Sequence, residues 1–360
     1  MDFFAEFFST ASTAVTAIAF LVGLVLIIKG GDWFVDSASW IAEVLGVPKF
    51  VIGATIVSLA TTLPELIVSI SATAQGNVEM AAGNAIGSVT ANTALILGLF
   101  TVCMPFAIKR KEFSPKALLM LGASVALFLG CVFATEFDAT YSGEAGRFHS
   151  LSTVGLIALM GIFIVFFAEN YISMKNSNTQ IEPSPQSIGI QNEDEIVPTK
   201  ENTSSVDWAK RIALFALGAG GIVLGAQLLV NSGTELATRM NVPQRVISIV
   251  AIAIGTSLPE LVTTITAIRK KEGALSVGNI LGANIIDLTL ILPICSVVSM
   301  AQGNGALAVS YQAVRFDMIA CIVAIAIAVV PTIITKKFSR WQGIATLSGY
   351  LAYVAYTVFM

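Results

Sequence analysis

A row of oxygen-bearing side chains runs through an otherwise apolar stretch: Ser58, Thr61, Thr62, Glu65 and Ser69. Counted from Ser58 they stand at 0, 3, 4, 7 and 11, which places them on one face of an α-helix. A second apolar stretch carries Ala253, Thr256, Ser257, Glu260 and Thr264 at the equivalent positions. Each row is followed by a further polar ladder at steps of four, Asn84, Ser88 and Asn92 in one case, Asn279, Ala283 and Asp287 in the other. Each glutamate precedes its partner, Asn92 or Asp287, by 27 residues. Carboxylates, hydroxyls and amide oxygens are what hard cations bind, and Ca²⁺ takes about 6–8 of them. Pro64 cannot donate to the carbonyl of Ala60, nor Pro259 to that of Gly255, so both helices are expected to break locally and free backbone oxygens.

Plainer readings stand beside this one. A lone Ser or Thr in an apolar helix usually bonds back to its own backbone, the expectation for Ser69 and Thr264. Gly83 with Gly87, and Gly278 with Gly282, read as helix-packing residues. The carboxylates are different, because each charge in mid-membrane costs roughly 2.5–3.5 kcal/mol on insertion scales and no basic residue lies near these three on their own helices. Lys29 with Asp32 and Asp36 reads as a structural pair. The four cysteines have no metal-site spacing, and His149 is the only histidine, so a zinc centre or a Ser-His-Asp triad lacks its usual parts.

The elements that must position these residues follow from composition. Of 360 residues, 55% are apolar and only 12% charged, about half the charge of an ordinary soluble domain. Mean hydropathy is +0.82. Such a chain cannot cover itself with polar surface, so it reads as an all-α polytopic membrane protein, not a disordered chain, a nucleic-acid binder or a soluble enzyme. Ten spans are expected, at about 12–40, 47–74, 80–105, 115–135, 151–172, 208–238, 243–268, 274–300, 312–334 and 341–359. They divide into a five-helix unit over 1–172, a polar, proline-containing linker over 173–207 and a second five-helix unit over 208–360.

Shifting the chain by 195 residues against itself aligns about 75 positions without a gap. Leu63-Pro64-Glu65-Leu66 falls on Leu258-Pro259-Glu260-Leu261, Gly83-Asn84 on Gly278-Asn279, and Asn92 on Asp287. Five spans per half is an odd number, so the repeats are inverted, as in many secondary transporters. With the N-terminus outside, 15 Lys and Arg fall inside and 4 outside, which places both termini outside and the linker in the cytoplasm.

The two repeated segments, about 47–100 and 242–295, hold Thr61-Thr62-Leu63-Pro64-Glu65 with GNAIGSVTAN and Thr256-Ser257-Leu258-Pro259-Glu260 with GNILGANIID. They resemble the α-repeats of the cation/calcium exchanger superfamily, most of all prokaryotic sodium/calcium exchangers. The resemblance implies a core of spans two, three, seven and eight, with spans one and six lying obliquely across it. It implies that Glu65 and Glu260 are the principal Ca²⁺ ligands, with oxygens from Thr61 and Thr256. Thr62, Ser257, Ser88, Asn92 and Asp287 would complete the Na⁺ and central sites, flanked by the carbonyls of Ser58 and Ala253. Ala283 departs from the pattern, since relatives commonly place a serine there that helps to hold an outer Na⁺. The expectation is therefore a Na⁺/Ca²⁺ antiporter, with a Ca²⁺/H⁺ antiporter or a K⁺-dependent exchanger as alternatives on the same fold. Asp287 occupies the position linked to K⁺ use in eukaryotic relatives. An intramembrane aspartyl protease would need two facing aspartates, and only Asp287 lies deep in a span. No cofactor, nucleic acid or enzymatic activity is expected; the ions are cargo, the surroundings a prokaryotic inner membrane, and the functional unit a monomer. A cysteine introduced near Gln186 should be labelled by a membrane-impermeant maleimide only from the cytoplasmic side; labelling from outside intact cells would overturn the charge count.

Overall fold

The computed structural model describes residues 2–141, 144–177, 203–240 and 257–359. Ala253, Thr256 and most of the expected linker lie outside them. Backbone polar groups in an apolar medium must be satisfied within the segment, so the apolar runs fold as helices. A short α1 (Asp2–Thr10) precedes α2 (Thr13–Leu45), α3 (Lys49–Ala74) and α4 (residues 78–103). Then come α5 (Arg110–Val132), α6 (Thr153–Ser177) and α7 (Ser205–Arg239). The chain closes with α8 (Leu258–Arg269), α9 (Gly273–Ala301), α10 (Ala313–Thr335) and α11 (Arg340–Phe359). Among the described residues eight helices are long and apolar enough to cross a membrane. The other two expected spans correspond to α8, which covers the second half of 243–268, and to the 20-residue α11.

The expectation of a purely helical chain needs one correction. Strands β1 (Glu136–Tyr141), β2 (Glu144–Ser150) and β3 (Ala308–Ser310) form an antiparallel sheet in the order β1-β2-β3. The connection between α5 and α6 is too short and polar to span a membrane. It pairs Phe137 with Phe148 across the hairpin and then recruits the loop after α9. This sheet joins the two halves at one end of the molecule, where Arg147 and Arg315 both lie over the Tyr311 ring.

The internal repeat is visible in backbone detail. The turn between α3 and α4 has Gly76 at φ 79°, and the turn between α8 and α9 has Lys271 at φ 59°, 195 positions on. Asn77 donates to the Ala72 carbonyl (2.8 Å) and Glu272 to that of Ala267 (2.7 Å), the same bond in each half.

Glycine sets the helix spacing. Gly23, Gly30, Gly218 and Gly225 let α2 and α7 cross backbone on backbone, so these two long helices form one pair. In the core, Gly53 of α3 abuts the backbone of Leu275 and Asn279 on α9. Gly278 abuts the Phe50 carbonyl, and a Cβ on Gly282 would stand 2.6 Å from Ala54 O and Ser58 Oγ. These contacts give Gly278 and Gly282 the packing role expected of them. For Gly83 and Gly87 nothing stands within 4 Å among the described residues; the repeat would set 245–253 against them, outside the described chain.

Lys29 is not the partner of Asp32 and Asp36. Its side chain is exposed, and Lys270, just past the end of α8, takes both carboxylates, at 2.6 Å from Asp36 and 3.6 Å from Asp32. The cause is packing: Gly31 lies against Thr266 and Val262, which brings this face of α2 onto the end of α8. Gly278→Ala should lower the thermal midpoint of the purified protein by several degrees, equivalent to about 1–3 kcal/mol, since the obstacle is backbone that cannot swing aside. Gly161→Ala, where nothing stands within 4 Å, should leave the midpoint unchanged.

Candidate cation site

Four helices supply the site. On α3 the face bearing Ser58, Thr61, Thr62, Glu65 and Ser69 is buried, as the spacing predicted. Ser257 and Glu260 lie at the start of α8, Ser88 and Asn92 on α4, and Asp287 on α9, all buried. Glu65, Glu260 and Asp287 are each only 1% exposed, and among the described residues none of their six carboxylate oxygens has a hydrogen-bond partner. No ion pair reaches them either, although the fold pairs other charges, including the fully buried Lys116 with Glu169. Glu65 lies within electrostatic reach of both Glu260 and Asp287, so the three repel one another in a medium of low polarity.

The orphaned atoms do not stop at carboxylates. Both side-chain polar atoms of Asn92 and the Ser257 hydroxyl are buried without a partner among the described residues. Buried polar groups are nearly always satisfied, so this collection facing inward from four helices marks a place built for a ligand. Among the described residues no three carboxylate, imidazole or thiol groups close on a single point. A cation here would therefore take part of its shell from hydroxyl, amide and carbonyl oxygens, the donor set of Ca²⁺ and Na⁺.

Backbone irregularity concentrates at these residues. A π-helical turn in α3 spans Gly53–Val57, one in α4 spans Ala91–Ile96 and contains Asn92, and one in α9 spans Asp287–Ile291 and begins on Asp287. The last two are equivalents under the 195-residue shift. Each π turn re-aims the side chains after it and loosens the backbone ladder. Side-chain periodicity carries no signal for a turn of this kind, so the sequence pattern missed it. At Pro64 the expected break does not occur: α3 continues as helix and loses only the bond that the missing N–H would make to Ala60 O. Pro259 lies in the first turn of α8, and Gly255, whose carbonyl was expected to be freed, lies outside the described residues.

Hydroxyl partners also differ from the simple pattern. Thr62 donates to the Ser58 carbonyl (2.7 Å), whereas the single Thr61 proton has two acceptors within reach, the same carbonyl (3.3 Å) and the nearer Asn279 Oδ1 (3.1 Å). Ser69 and Thr264, expected to bond to their own helices, instead accept from neighbours: Ser69 from Asn84 (3.0 Å) and Thr264 from Ser276 (3.2 Å). Asn84 also donates to the Glu65 carbonyl (3.4 Å), so this ladder residue braces the glutamate helix.

The family model for sodium/calcium exchanger proteins matches residues 15–168 and 210–359. The chain belongs to the sodium/calcium exchanger family. It is 31% identical over 355 residues to the sodium/calcium exchanger MaX1 of Methanosarcina acetivorans, covering 93% of this chain and 96% of that one. It is 31% identical over 287 residues to the inner membrane protein YrbG of Escherichia coli, covering 78% and 79%. Among solved structures it is similar to the sodium-calcium exchanger NCX_Mj in crystals soaked with Na⁺ and Sr²⁺, with TM-score 0.74, 26% identity, and coverage of 96% and 99%. The protein is thus a membrane transporter of the exchanger family, a family of cation/Ca²⁺ antiporters rather than enzymes. If the orphaned carboxylates are the cation ligands, Glu65→Gln and Glu260→Gln should each abolish ⁴⁵Ca²⁺ uptake into vesicles while the protein still elutes as a monodisperse species. Uptake at the unsubstituted rate in either variant would remove that glutamate from the site.

Proposed function

We propose that this exchanger moves Na⁺ against Ca²⁺ by alternating access around one fixed site held by Glu65, Glu260, Asp287, Asn92, Thr61, Thr62, Thr256, Ser257, Ser88 and the carbonyls of Ser58 and Ala253. The observation that carries the reading is the set of three buried carboxylates without any cationic side-chain partner among the described residues. Their charge of −3, if all are ionised, calls for cations from solution. Three Na⁺ would balance it, and one Ca²⁺ would leave a single negative charge for a proton. Protons, Na⁺ and Ca²⁺ then compete for the same oxygens. Exchange of three Na⁺ for one Ca²⁺ would move one net charge, worth about 2.3 kcal/mol per 100 mV, so flux would respond to membrane voltage.

Similarity to the sodium/calcium exchanger MaX1 and to the sodium-calcium exchanger soaked with Na⁺ and Sr²⁺ supports Na⁺ as the driving ion. One residue favours a second reading, Ca²⁺/H⁺ exchange. Ser88 of the first half is matched by Ala283 in the second, a buried methyl where a hydroxyl would ligate Na⁺. In this proposal both termini lie outside a prokaryotic inner membrane, the linker is cytoplasmic, and one chain transports by itself.

The deciding measurement is ⁴⁵Ca²⁺ uptake into proteoliposomes loaded with either Na⁺ or acid. An outward Na⁺ gradient should drive uptake at neutral pH, accelerated by an inside-positive potential because each cycle carries one net positive charge outward with Na⁺; external acid should slow it. Ala283→Ser should raise the apparent Na⁺ affinity by restoring an oxygen. Uptake driven by a pH gradient without Na⁺, with Ala283→Ser unaltered, would establish proton coupling instead.

A further inference from the structure

Asn279 stands where the two halves meet, and its amide is used at both ends. It lies on α9, 1% exposed, eight residues before Asp287. Its Oδ1 accepts from the Thr61 hydroxyl of α3 (3.1 Å), and its Nδ2 donates to the Thr263 hydroxyl of α8 (3.1 Å). Thr263 in turn donates to the main-chain carbonyl of Glu260 (2.9 Å). The Thr61 hydroxyl lies beside the Glu260 carboxylate. One amide therefore connects a hydroxyl contributed by the first half to the backbone of the glutamate contributed by the second.

The connection depends on close backbone approach. Gly53, at the start of the π turn in α3, lies directly against the backbone of Asn279, and Gly278 lies against Phe50 O. With larger residues there, the short side chains of Thr61 and Asn279 would not reach each other. The equivalent Asn84 braces only α3 among the described residues, through Glu65 O and Ser69 Oγ. Its cross-half counterpart would be Thr256, outside the described chain.

We propose that Asn279 is a positioning residue for the cation: by holding the Thr61 proton, which would otherwise turn to the Glu260 carboxylate, it leaves the Thr61 oxygen lone pairs for a cation bound between the two, and by anchoring Thr263 it fixes the register of Glu260. A hydroxyl whose proton is held by a neighbour presents only acceptor density to a cation. Partners that orient ligands in this way typically change metal affinity by about 10–100-fold when removed. The inference rests on the reading of Glu65 and Glu260 as Ca²⁺ ligands.

The test is equilibrium ⁴⁵Ca²⁺ binding and Na⁺ competition on the full chain in nanodiscs, with a thermal melt of each variant in the absence of Ca²⁺. Asn279→Leu should weaken Ca²⁺ binding about tenfold or more, and Thr61→Val should cost less in that background than alone, because part of the Asn279 effect acts through the Thr61 oxygen. Thr263→Val, which removes only the anchor, should weaken binding about threefold and serves if Asn279→Leu does not fold. Asn279→Asp keeps an acceptor for Thr61 and should bind Ca²⁺ more tightly than Asn279→Leu. Ca²⁺ affinity within twofold of the unsubstituted protein for Asn279→Leu, or for Thr263→Val where only that variant folds, overturns the proposal. So do losses at Thr61 and Asn279 that multiply, or affinity losses that merely follow the melting temperature. Glu260→Gln is measured alongside. If it binds Ca²⁺ as the unsubstituted protein does, the reading of the site itself fails and this inference with it. If Glu260→Gln loses binding while the Asn279 and Thr263 variants keep it, only the positioning role fails.

Discussion

Three carboxylates buried in an apolar interior, without a basic partner among the described residues, set the terms for the rest of this structure. Taking an ionised carboxylate out of water costs several kcal/mol even after relaxation, and neighbouring carboxylates add repulsion. The fold has cations available and uses them elsewhere. Lys116 is buried against Glu169 and the face of Phe50, Lys49 bridges Glu43 and Glu272, and Lys270 holds Asp32 and Asp36. Among the described residues none is directed at Glu65, Glu260 or Asp287. A transporter gains from this arrangement, because a lysine in the centre would compete with the cargo for the same oxygens. The charge left uncompensated by the protein is the driving force for binding a cation.

Holding such a centre requires helices closer together than ordinary side chains allow. Gly53, Gly278 and Gly282 bring α3 and α9 into backbone contact, so that the side chains of serine, threonine and asparagine span the remaining distance. π-helical turns at Gly53–Val57, Ala91–Ile96 and Asp287–Ile291 then re-aim residues at the same level. Around the carboxylates the hydrogen bonds are well provided: Asn84 holds the Glu65 carbonyl, Thr263 holds the Glu260 carbonyl, and Asn279 joins the halves. These supporting groups are satisfied, while the carboxylate oxygens of Glu65, Glu260 and Asp287 have no hydrogen-bond partner among the described residues. Rigid support with unsatisfied centres is what a binding site for a small hard ion demands, since a shift of a few tenths of an ångström changes coordination.

The two halves follow one plan without being copies. Asn92 answers Asp287, Ser88 answers Ala283, and Val68 answers Thr263. Each difference moves charge or a hydroxyl from one half to the other, so the two repeats contribute unequally, with the third buried carboxylate on α9. The hydrogen bonding follows the same asymmetry. Thr263 and Ser276 give α8 and α9 links that Val68 and Ala81 cannot form between α3 and α4. Symmetry supplies the fold, and departures from it supply the chemistry by which ions of different charge can be told apart.

The amino-acid sequence by itself determined the membrane class, the internal repeat and the polar face of α3, because each rests on something local or periodic. Apolar runs of span length require helices, a 195-residue shift is a property of the string, and positions 0, 3, 4, 7 and 11 share a helical face whatever surrounds them. Much of the candidate site was legible for the same reason, since an unpaired intramembrane carboxylate is conspicuous wherever it falls. What depends on the approach of distant segments was decided only by tertiary structure. Lys270 rather than Lys29 faces Asp32 and Asp36 because Gly31 seats α2 on α8. Ser69 and Thr264 serve neighbouring helices because α4 and α9 pass within hydrogen-bonding reach. The β-sheet forms because two loops 158 to 162 residues apart along the chain meet, as between Ser150 and Ala308 or Phe148 and Ser310. The link from Asn279 to Thr61 spans 218 residues and exists only because glycines let two backbones touch, a geometry that no local pattern encodes.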